Sequence, residues 1–173
     1  MIELQYPTGK FSYPNQYDEE TLKSWIKAIQ IFPHKLKALV KDLSESELKK
    51  TYRPEGWTIK QVIHHCADSH MNAYIRIKLA LTEENPTIKP YKENLWAQLP
   101  DSDECPIGIS LEILEGVHHR WLILLNHLQE KDWIKTYNHP ESGKITSLRD
   151  MTALYAWHCG HHLAHIELAL GLR

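Results

Sequence analysis

Four stretches of the chain repeat their apolar residues every three or four positions, which is the spacing of an amphipathic helix. They run from Asp18 to Leu43, from Thr58 to about Thr82, from Ser110 to about Gln129, and from Ser147 to Gly171. Pro33 lies inside the first stretch and is expected to kink or divide that helix, because proline lacks a backbone donor and clashes with the preceding turn. Four long amphipathic helices predict an all-α four-helix bundle, formed as a single domain over residues 1–173.

The segments between these helices carry different signals. Residues 1–17 contain prolines and a glycine but no long period, which predicts an extended N-terminal arm whose apolar side chains pack on the domain. Residues 83–109 contain four prolines and are expected to form a long ordered loop. Residues 133–138 and 144–147 flank a turn sequence, so a small β-hairpin is predicted before the last helix.

Composition and charge exclude several classes of protein. The chain has 173 residues, 42% of them hydrophobic, and a net charge of −2 without a basic run, so neither a nucleic-acid nor a membrane partner is expected. Cys66, Cys105 and Cys159 are odd in number and lack a CxxC spacing, which is typical of reduced thiols in the cytoplasm. The one anomaly in the composition is a total of 12 histidines.

The last predicted helix concentrates these histidines on one face. His158, His161, His162 and His165 fall within eight residues, and at about 100° per residue all four point to the same side. Histidines four apart on a helix can both direct a ring nitrogen at one cation, so the pairs 158/162 and 161/165 each predict a metal site. Helix geometry does not choose between the two pairs. The alternative is a polar helix face, or core histidines bonded to the backbone.

The second predicted helix carries a polar stripe that can complete the site. His65, Ser69, Asn72 and Arg76 share one face over three turns, and Asp68 borders it. A helix in a bundle normally turns an apolar stripe toward its neighbours, so this stripe is interpreted as the lining of a pocket. The alternative is that it faces solvent.

Other residues on these helices are expected to be structural. His64 is expected to face another helix or the surface. His70 and His118 fall on apolar seams, where an imidazole usually bonds to a backbone acceptor. Cys66 and Cys159 point about 100° away from the neighbouring histidines and are predicted to be small core residues.

Several segments together resemble the YfiT branch of the DinB-like proteins. The resemblance rests on residues 56–72 (GWTIKQVIHHCADSHMN), 78–82 (KLALT), 86–91 (PTIKPY) and 155–166 (YAWHCGHHLAHI), in order along nearly the whole chain. It implies a four-helix bundle of up-down-down-up topology, a homodimer, and one divalent metal per subunit, zinc or nickel. By motif position, the implied metal ligands are His65, His158 and His162.

One departure from the family pattern concerns the surroundings of these ligands. Where the broader family often has Arg-Gly-Gln, this chain has Leu163-Ala164-His165. Whether Asp68, His161 or His165 orients a ligand imidazole through a hydrogen bond therefore stays open. Members of this branch are described as metal-dependent hydrolases, and related proteins as transferring low-molecular-weight thiols such as bacillithiol.

Three functions remain compatible with the residues. Three neutral imidazoles leave the cation with its full charge and an open position, which allows it to activate water for hydrolysis or to bind a thiolate for transfer. The third function is metal binding by a stress-linked protein without turnover. A small-molecule substrate is expected to contact Ser69, Asn72 and Arg76, whose guanidinium suits a carboxylate. The competing interpretation of Arg76 is a salt bridge to Glu115 or Glu167.

Overall fold

The computed structural model describes residues 2–173, with side chains from residue 4 onward, so the first residue of the predicted arm lies outside it. The elements in chain order are α1 (Ile2–Gln5), α2 (Glu19–Val40), α3 (Glu45–Leu48), α4 (Ile59–Thr82), α5 (Glu93–Trp96), α6 (Asp101–Glu104), α7 (Ile107–His127), α8 (Glu130–Trp133), β1 (Thr136–His139), β2 (Lys144–Ser147) and α9 (Leu148–Ala169). The four long helices are the predicted ones, and β1 and β2 form the predicted antiparallel hairpin.

Three of the four long helices, α2, α4 and α9, begin where a polar side chain accepts from a free backbone donor. The Thr58 hydroxyl accepts from the backbone amide of Gln61 at 3.1 Å, and the Gln61 side-chain oxygen accepts from the backbone amide of Thr58 at 3.0 Å. This reciprocal pair is the capping box that starts α4. Ser147 Oγ accepts from the amide of Asp150 at 3.0 Å and starts α9. Both caps were recognisable in the sequence, and both helices begin at the next residue.

The bundle has up-down-down-up topology. Residue numbers increase in the same direction along the contact between α4 and α7, from His64 with Ser110 to His70 with His118. These two helices therefore run parallel. α9 runs antiparallel to α4, and α2 antiparallel to α7. α2 and α4 each pack against α7 and α9.

The core lies along the axis of this bundle. Its largest fully buried side chains are Ile29, Phe32, Leu36, Ile59, Ile63, Ile77, Leu114, Trp121, Leu125, Leu148, Met151 and Ile166. They come from all four long helices. Cys66 and Cys159 are buried in the same core, as expected.

Pro33 does not divide α2, which runs unbroken from Glu19 to Val40. Of the two expected effects, a kink or a division, division is wrong, because buried residues lie on both sides of the proline, Phe32 before it and Leu36 after it. Packing of this continuous apolar face outweighs the loss of one backbone hydrogen bond.

Other boundaries also differ from the prediction. α7 starts at Ile107, three residues before the predicted Ser110, directly after an extended Pro106. The long loop contains the short helices α5 and α6. The N-terminal arm is not extended throughout, because residues 2–5 form α1.

The N-terminal arm packs on the domain, as predicted, and residues 5–11 contact α9. Trp157 donates its indole N–H to the carbonyl of Gly9 at 3.1 Å, and the Phe11 ring lies 5.8 Å from the Trp157 ring. Tyr6 stacks on His161 with ring centroids 6.0 Å apart. Gly9 adopts a φ of 80° at the end of a turn, a conformation that favours glycine. The arm therefore borders the histidine cluster. None of the helices described here is long and apolar enough to cross a membrane.

Candidate metal centre

Three histidines from two antiparallel helices bring their Nε2 atoms together. α4 supplies His65, and α9 supplies His158 and His162 one turn apart. His158 Nε2 lies 3.3 Å from His65 Nε2 and 3.1 Å from His162 Nε2. The three ligand atoms lie within 4.8 Å of one another. The structure therefore brings together the three residues that the resemblance implies.

The spacing of these nitrogens fits a divalent cation. Zinc binds imidazole nitrogen at about 2.0–2.1 Å, so two ligands at a tetrahedral angle lie about 3.3 Å apart. The observed 3.1 and 3.3 Å match this separation. An octahedral nickel site requires a separation of about 3 Å for similar bond lengths, so the spacing accommodates either metal. The residues present fit the implied metal.

Burial keeps the three imidazoles in the form that binds metal. Loss of hydration lowers the pKa of His65 to about 4 and holds the pKa of His158 and of His162 well below the ordinary value. The neighbouring histidines lower these pKa values further, because two cationic rings at such distances repel each other. At neutral pH all three rings are uncharged, and each has a free lone pair.

A second group of histidines, His161, His162 and His165, also converges and shares one member with the first. His165 donates from Nε2 to the carbonyl of Gln5 at 3.1 Å, and its Nδ1 lies 3.4 Å from Nδ1 of His162. His161 stacks on Trp157, with ring centroids 4.3 Å apart. Only the first group contains a ligand from a second long helix, as a site in a bundle core generally does.

Behind His158, a row of buried histidines crosses the bundle. His158 Nδ1 lies 3.0 Å from His70 Nε2, and His70 Nδ1 lies 2.6 Å from His118 Nε2. His118 Nδ1 donates to the carbonyl of Ile29 at 2.8 Å. His118 thus has the expected backbone acceptor. His70 does not, because both of its nitrogens face other histidines.

His64 and Asp68 lie close to the candidate ligand His65 on α4, and the two residues have different surroundings. His64 faces α7, where its Nδ1 lies 2.7 Å from the hydroxyl of Ser110, in agreement with the expectation that it meets another helix. Asp68 is half-buried, and burial together with the charge of Asp101 raises its pKa to about 6. Among the described residues, no hydrogen bond joins the Asp68 carboxylate to a histidine.

A cavity of about 580 Å³ opens beside His158. Ser69 and Arg76 line it, together with Tyr91, Glu93 and His139 from the loop and the hairpin. Ser69 Oγ lies 3.5 Å from His158 Nε2, which places the stripe of α4 at the edge of the candidate metal centre. Two of the three predicted substrate contacts thus share a cavity with a candidate metal ligand.

Asn72, the third predicted contact, lies elsewhere. Its amide donates to the carbonyl of Asp68 at 2.9 Å, and its side chain borders a separate depression beside Tyr91 and Trp96. The structure therefore does not bring Asn72 to the metal face. The two depressions share the lining residues Tyr91, Lys92, Leu95 and Glu141.

Arg76 has no carboxylate partner within the described part of the chain. The two partners considered from the sequence are engaged elsewhere, since Glu115 lies 3.8 Å from Lys37 and Glu167 lies 2.6 Å from Arg173. The Nε atom of Arg76 is buried and has no hydrogen-bond partner among the described residues. The competing salt bridge to Glu115 or Glu167 is absent there, and Arg76 lines the cavity.

Several cavity residues were not singled out from the sequence. Glu93 and Asn94 lie in the loop before α6, and Glu141 lies in the hairpin turn. A second cavity, of about 420 Å³, opens on the other side of His158 and shares Glu93 and Asn94 with the first. Periodicity carries no signal for such residues, because loops reach a site through tertiary packing.

Known proteins resemble this chain over almost its full length. A family model for the DinB superfamily matches residues 28–166. The chain belongs to the DinB superfamily. A protein of Bacillus cereus strain G9842, named "Putative metal-dependent hydrolase", is 52% identical over 166 residues, 96% of this chain and 95% of that protein. A Bacillus anthracis strain A0248 protein of the same name is equally similar over the same shares.

A solved structure of this superfamily has the same fold. YfiT from Bacillus subtilis superposes with a TM-score of 0.94 at 42% identity, covering 98% of each chain. That protein is described as "a probable metal-dependent hydrolase with an unusual four-helix bundle topology". The resemblance seen in the sequence is confirmed, and so is the bundle topology.

Proposed function

We propose that this chain is a metal-dependent hydrolase in which His65, His158 and His162 hold one zinc or nickel ion. The observation that carries the proposal is the convergence of three neutral Nε2 atoms, 3.1 and 3.3 Å apart at His158, next to an open cavity. Three protein ligands leave a fourth position for water or substrate. The names of the DinB relatives support the same activity.

The metal supplies two effects when bound: it lowers the pKa of a water molecule and polarises a substrate oxygen. The protein supplies binding and orientation. Ser69 borders both the metal centre and the cavity, and Tyr155 fixes this position by donating its hydroxyl to the Ser69 carbonyl at 3.1 Å. Cys66 and Cys159 are not nucleophiles in this scheme, because burial raises the pKa of both thiols.

The cavity suits a small molecule with a carboxylate group. Its volume of about 580 Å³ falls in the range of ligand pockets, roughly 300–1,000 Å³. Arg76 lines the cavity without a carboxylate partner among the described residues, and a guanidinium binds a carboxylate through two parallel hydrogen bonds. Arg76 therefore binds the substrate end that lies away from the metal.

Glu93 is the proposed acid–base residue. It is the carboxylate that lines both cavities next to His158. Glu93 is exposed, but loss of hydration beside its neighbours, with a smaller contribution from the charge of Glu141, raises the pKa of Glu93. A raised pKa brings a carboxylate closer to the pH at which it can exchange a proton with the attacking water. Glu93 thus moves the proton while the histidines stay neutral.

A second candidate function is transfer of a low-molecular-weight thiol. The observation that favours it is the pair of cavities, of about 580 and 420 Å³, that meet at His158. Two cavities can hold two small molecules, a thiol and an electrophile, whereas hydrolysis needs one organic substrate and water. Coordination to the metal deprotonates a thiol, so the same ligands serve this reaction.

One experiment compares the two reactions on the same sample. Protein loaded with zinc or nickel is assayed against small esters and amides with and without a carboxylate, and separately against a small thiol plus a fluorogenic electrophile. Hydrolysis that requires metal and is faster for the carboxylate substrates supports the first proposal. Metal-dependent conjugation without hydrolysis replaces it with the second. Absence of both reactions with fully metal-loaded protein contradicts both.

An Arg76→Met variant tests the substrate contact within this assay. Removing the charge is expected to raise KM for the carboxylate substrates, while kcat, metal content and the melting temperature hold. Lys78→Met is the matched control, because Lys78 is an exposed basic residue on the same helix that stacks on Tyr74. An early melting transition with unchanged KM in Arg76→Met assigns Arg76 a structural role.

A further inference from the structure

His158 and His162 each begin a row of hydrogen-bonded histidines. The last histidine of each row donates to a backbone carbonyl. His158 is connected through His70 and His118 to the carbonyl of Ile29. His162 is connected through His165 to the carbonyl of Gln5. A carbonyl oxygen can only accept a hydrogen bond, so each row has a fixed direction.

The direction of the first row determines three tautomers in series. Because the Ile29 carbonyl accepts, His118 carries its proton on Nδ1 and has a lone pair on Nε2. His70 must then donate from Nδ1, which leaves its Nε2 as an acceptor. His158 in turn donates from Nδ1 to His70. The lone pair of neutral His158 is therefore on Nε2, the atom that faces the candidate metal centre.

The second row gives the same result for the other α9 ligand. His165 donates from Nε2 to the Gln5 carbonyl, so its Nδ1 is an acceptor. The His162 Nδ1, 3.4 Å away, is then the protonated nitrogen of its ring. The lone pair of His162 is on Nε2. Two lone pairs now face each other across 3.1 Å, where neither ring can donate to the other.

We propose that these two histidine rows fix the tautomers of His158 and His162, which makes His118, His70 and His165 positioning residues for the metal. The inference rests on the proposed metal site. A free imidazole chooses between two tautomers, and in one of them the N–H occupies the position of the metal bond. A row that excludes this tautomer prepares both ligands before the metal arrives. A cation relieves the repulsion between the two facing lone pairs.

Packing holds the first row rigid. Phe32 lies against both buried rings, with centroids 5.1 Å from His70 and 5.6 Å from His118. His70 and His118 are fully buried, so water does not compete for their nitrogens. The departure at His165 from the broader family pattern falls in the second row, where the histidine supplies the acceptor for His162.

Substitutions at His118 separate the hydrogen bond from the bulk of the side chain. In His118→Gln the amide oxygen can accept from His70 and the amide N–H can donate to Ile29, so the direction of the row is kept. His118→Leu removes the acceptor. His119→Leu, at the exposed neighbouring position, is the control. The same pair of changes at His165, to Gln and to Leu, tests the second row.

The first measurement is zinc affinity by competition with a chelator. The Leu variant of each row is expected to bind zinc about 10–100-fold more weakly, while the Gln variants stay within a few-fold of wild type. Equal loss in the Gln and Leu variants would mean that the histidines serve packing alone. Unchanged affinity in both Leu variants would overturn the proposal.

The second measurement is the ¹⁵N NMR spectrum of the histidine rings in metal-free protein at neutral pH. His158 and His162 are each expected to show one tautomer, protonated at Nδ1, and His158 is expected to become a mixture in His118→Leu. A mixture in the wild-type protein would refute the proposal. This measurement does not require metal, so it tests the two rows independently of zinc binding. Failure of the wild-type protein to bind zinc would contradict the proposed function but not the tautomers.

Discussion

Mild acid should destabilise the metal-free protein at a pH where most of its carboxylates are still ionised. The perturbation is a fall in pH from about 7.5 to about 5 in the presence of a chelator. Burial lowers the pKa of His65 and of His118 to about 4, from the ordinary 6.5. In this interval the unfolded chain binds protons at both residues and the folded chain does not. Stability is therefore full above about pH 6.5 and falls as the pH decreases toward 4.

The size of the effect follows from these pKa values. One pKa unit corresponds to about 1.4 kcal/mol, so each of the two residues removes about 3 kcal/mol when the pH falls below 4, and about 2 kcal/mol of this is reached at pH 5. The pair thus destabilises the fold by about 4 kcal/mol at pH 5, a large part of the roughly 5–15 kcal/mol of a typical domain. Burial lowers the pKa of His70, His158 and His162 as well, which adds to the loss.

Urea unfolding followed by circular dichroism measures this loss at each pH. In His118→Gln, the loss between about pH 7.5 and pH 5 should shrink by about 2 kcal/mol, because one buried titrating group is gone. His119→Gln, which replaces an exposed histidine, should leave the loss unchanged. A wild-type unfolding free energy that changes by less than about 1 kcal/mol over this range would refute the burial argument.

Three further predictions concern the metal, the acid–base residue and the assembly. Chelation should lower the melting temperature without removing the helical circular dichroism signal, because the bundle has an apolar core of its own; loss of that signal would make the metal structural. Glu93→Gln should lower kcat by about 10²–10⁴-fold with normal metal content, and an unchanged kcat would remove Glu93 from the mechanism. The protein should sediment as a homodimer in analytical ultracentrifugation, and a single monomeric species would contradict this.

The helices were predictable because their signals are local. Thr58 with Gln61 and Ser147 with Asp150 lie three positions apart, so the sequence shows both partners of each cap. Apolar spacing likewise reports which side of a helix is buried. A division at Pro33 was allowed by the sequence because the cost of the proline is local, whereas the packing that keeps α2 continuous comes from other helices.

Helix geometry alone predicts contacts within the candidate site only where its members share a helix, and the choice of His65 and of 158/162 over 161/165 came from the resemblance. His158 and His162 stand one turn apart on α9, so their shared face follows from helix geometry. The contact between His70 and His118 joins residues 48 positions apart on two helices, and nothing in either helix alone indicates it. Glu93 is a similar case, because the fold of the loop, and no periodic pattern, brings it to the cavity.

The central claim is that His65, His158 and His162 hold the metal, and metal stoichiometry in alanine variants tests it most directly. Each purified variant is equilibrated with one equivalent of zinc, desalted and analysed for bound metal and chain concentration. His65→Ala, His158→Ala and His162→Ala should retain little zinc, whereas His64→Ala and His161→Ala should retain most of it. Full zinc occupancy in His158→Ala, or loss in His161→Ala with retention in His65→Ala, would contradict the account.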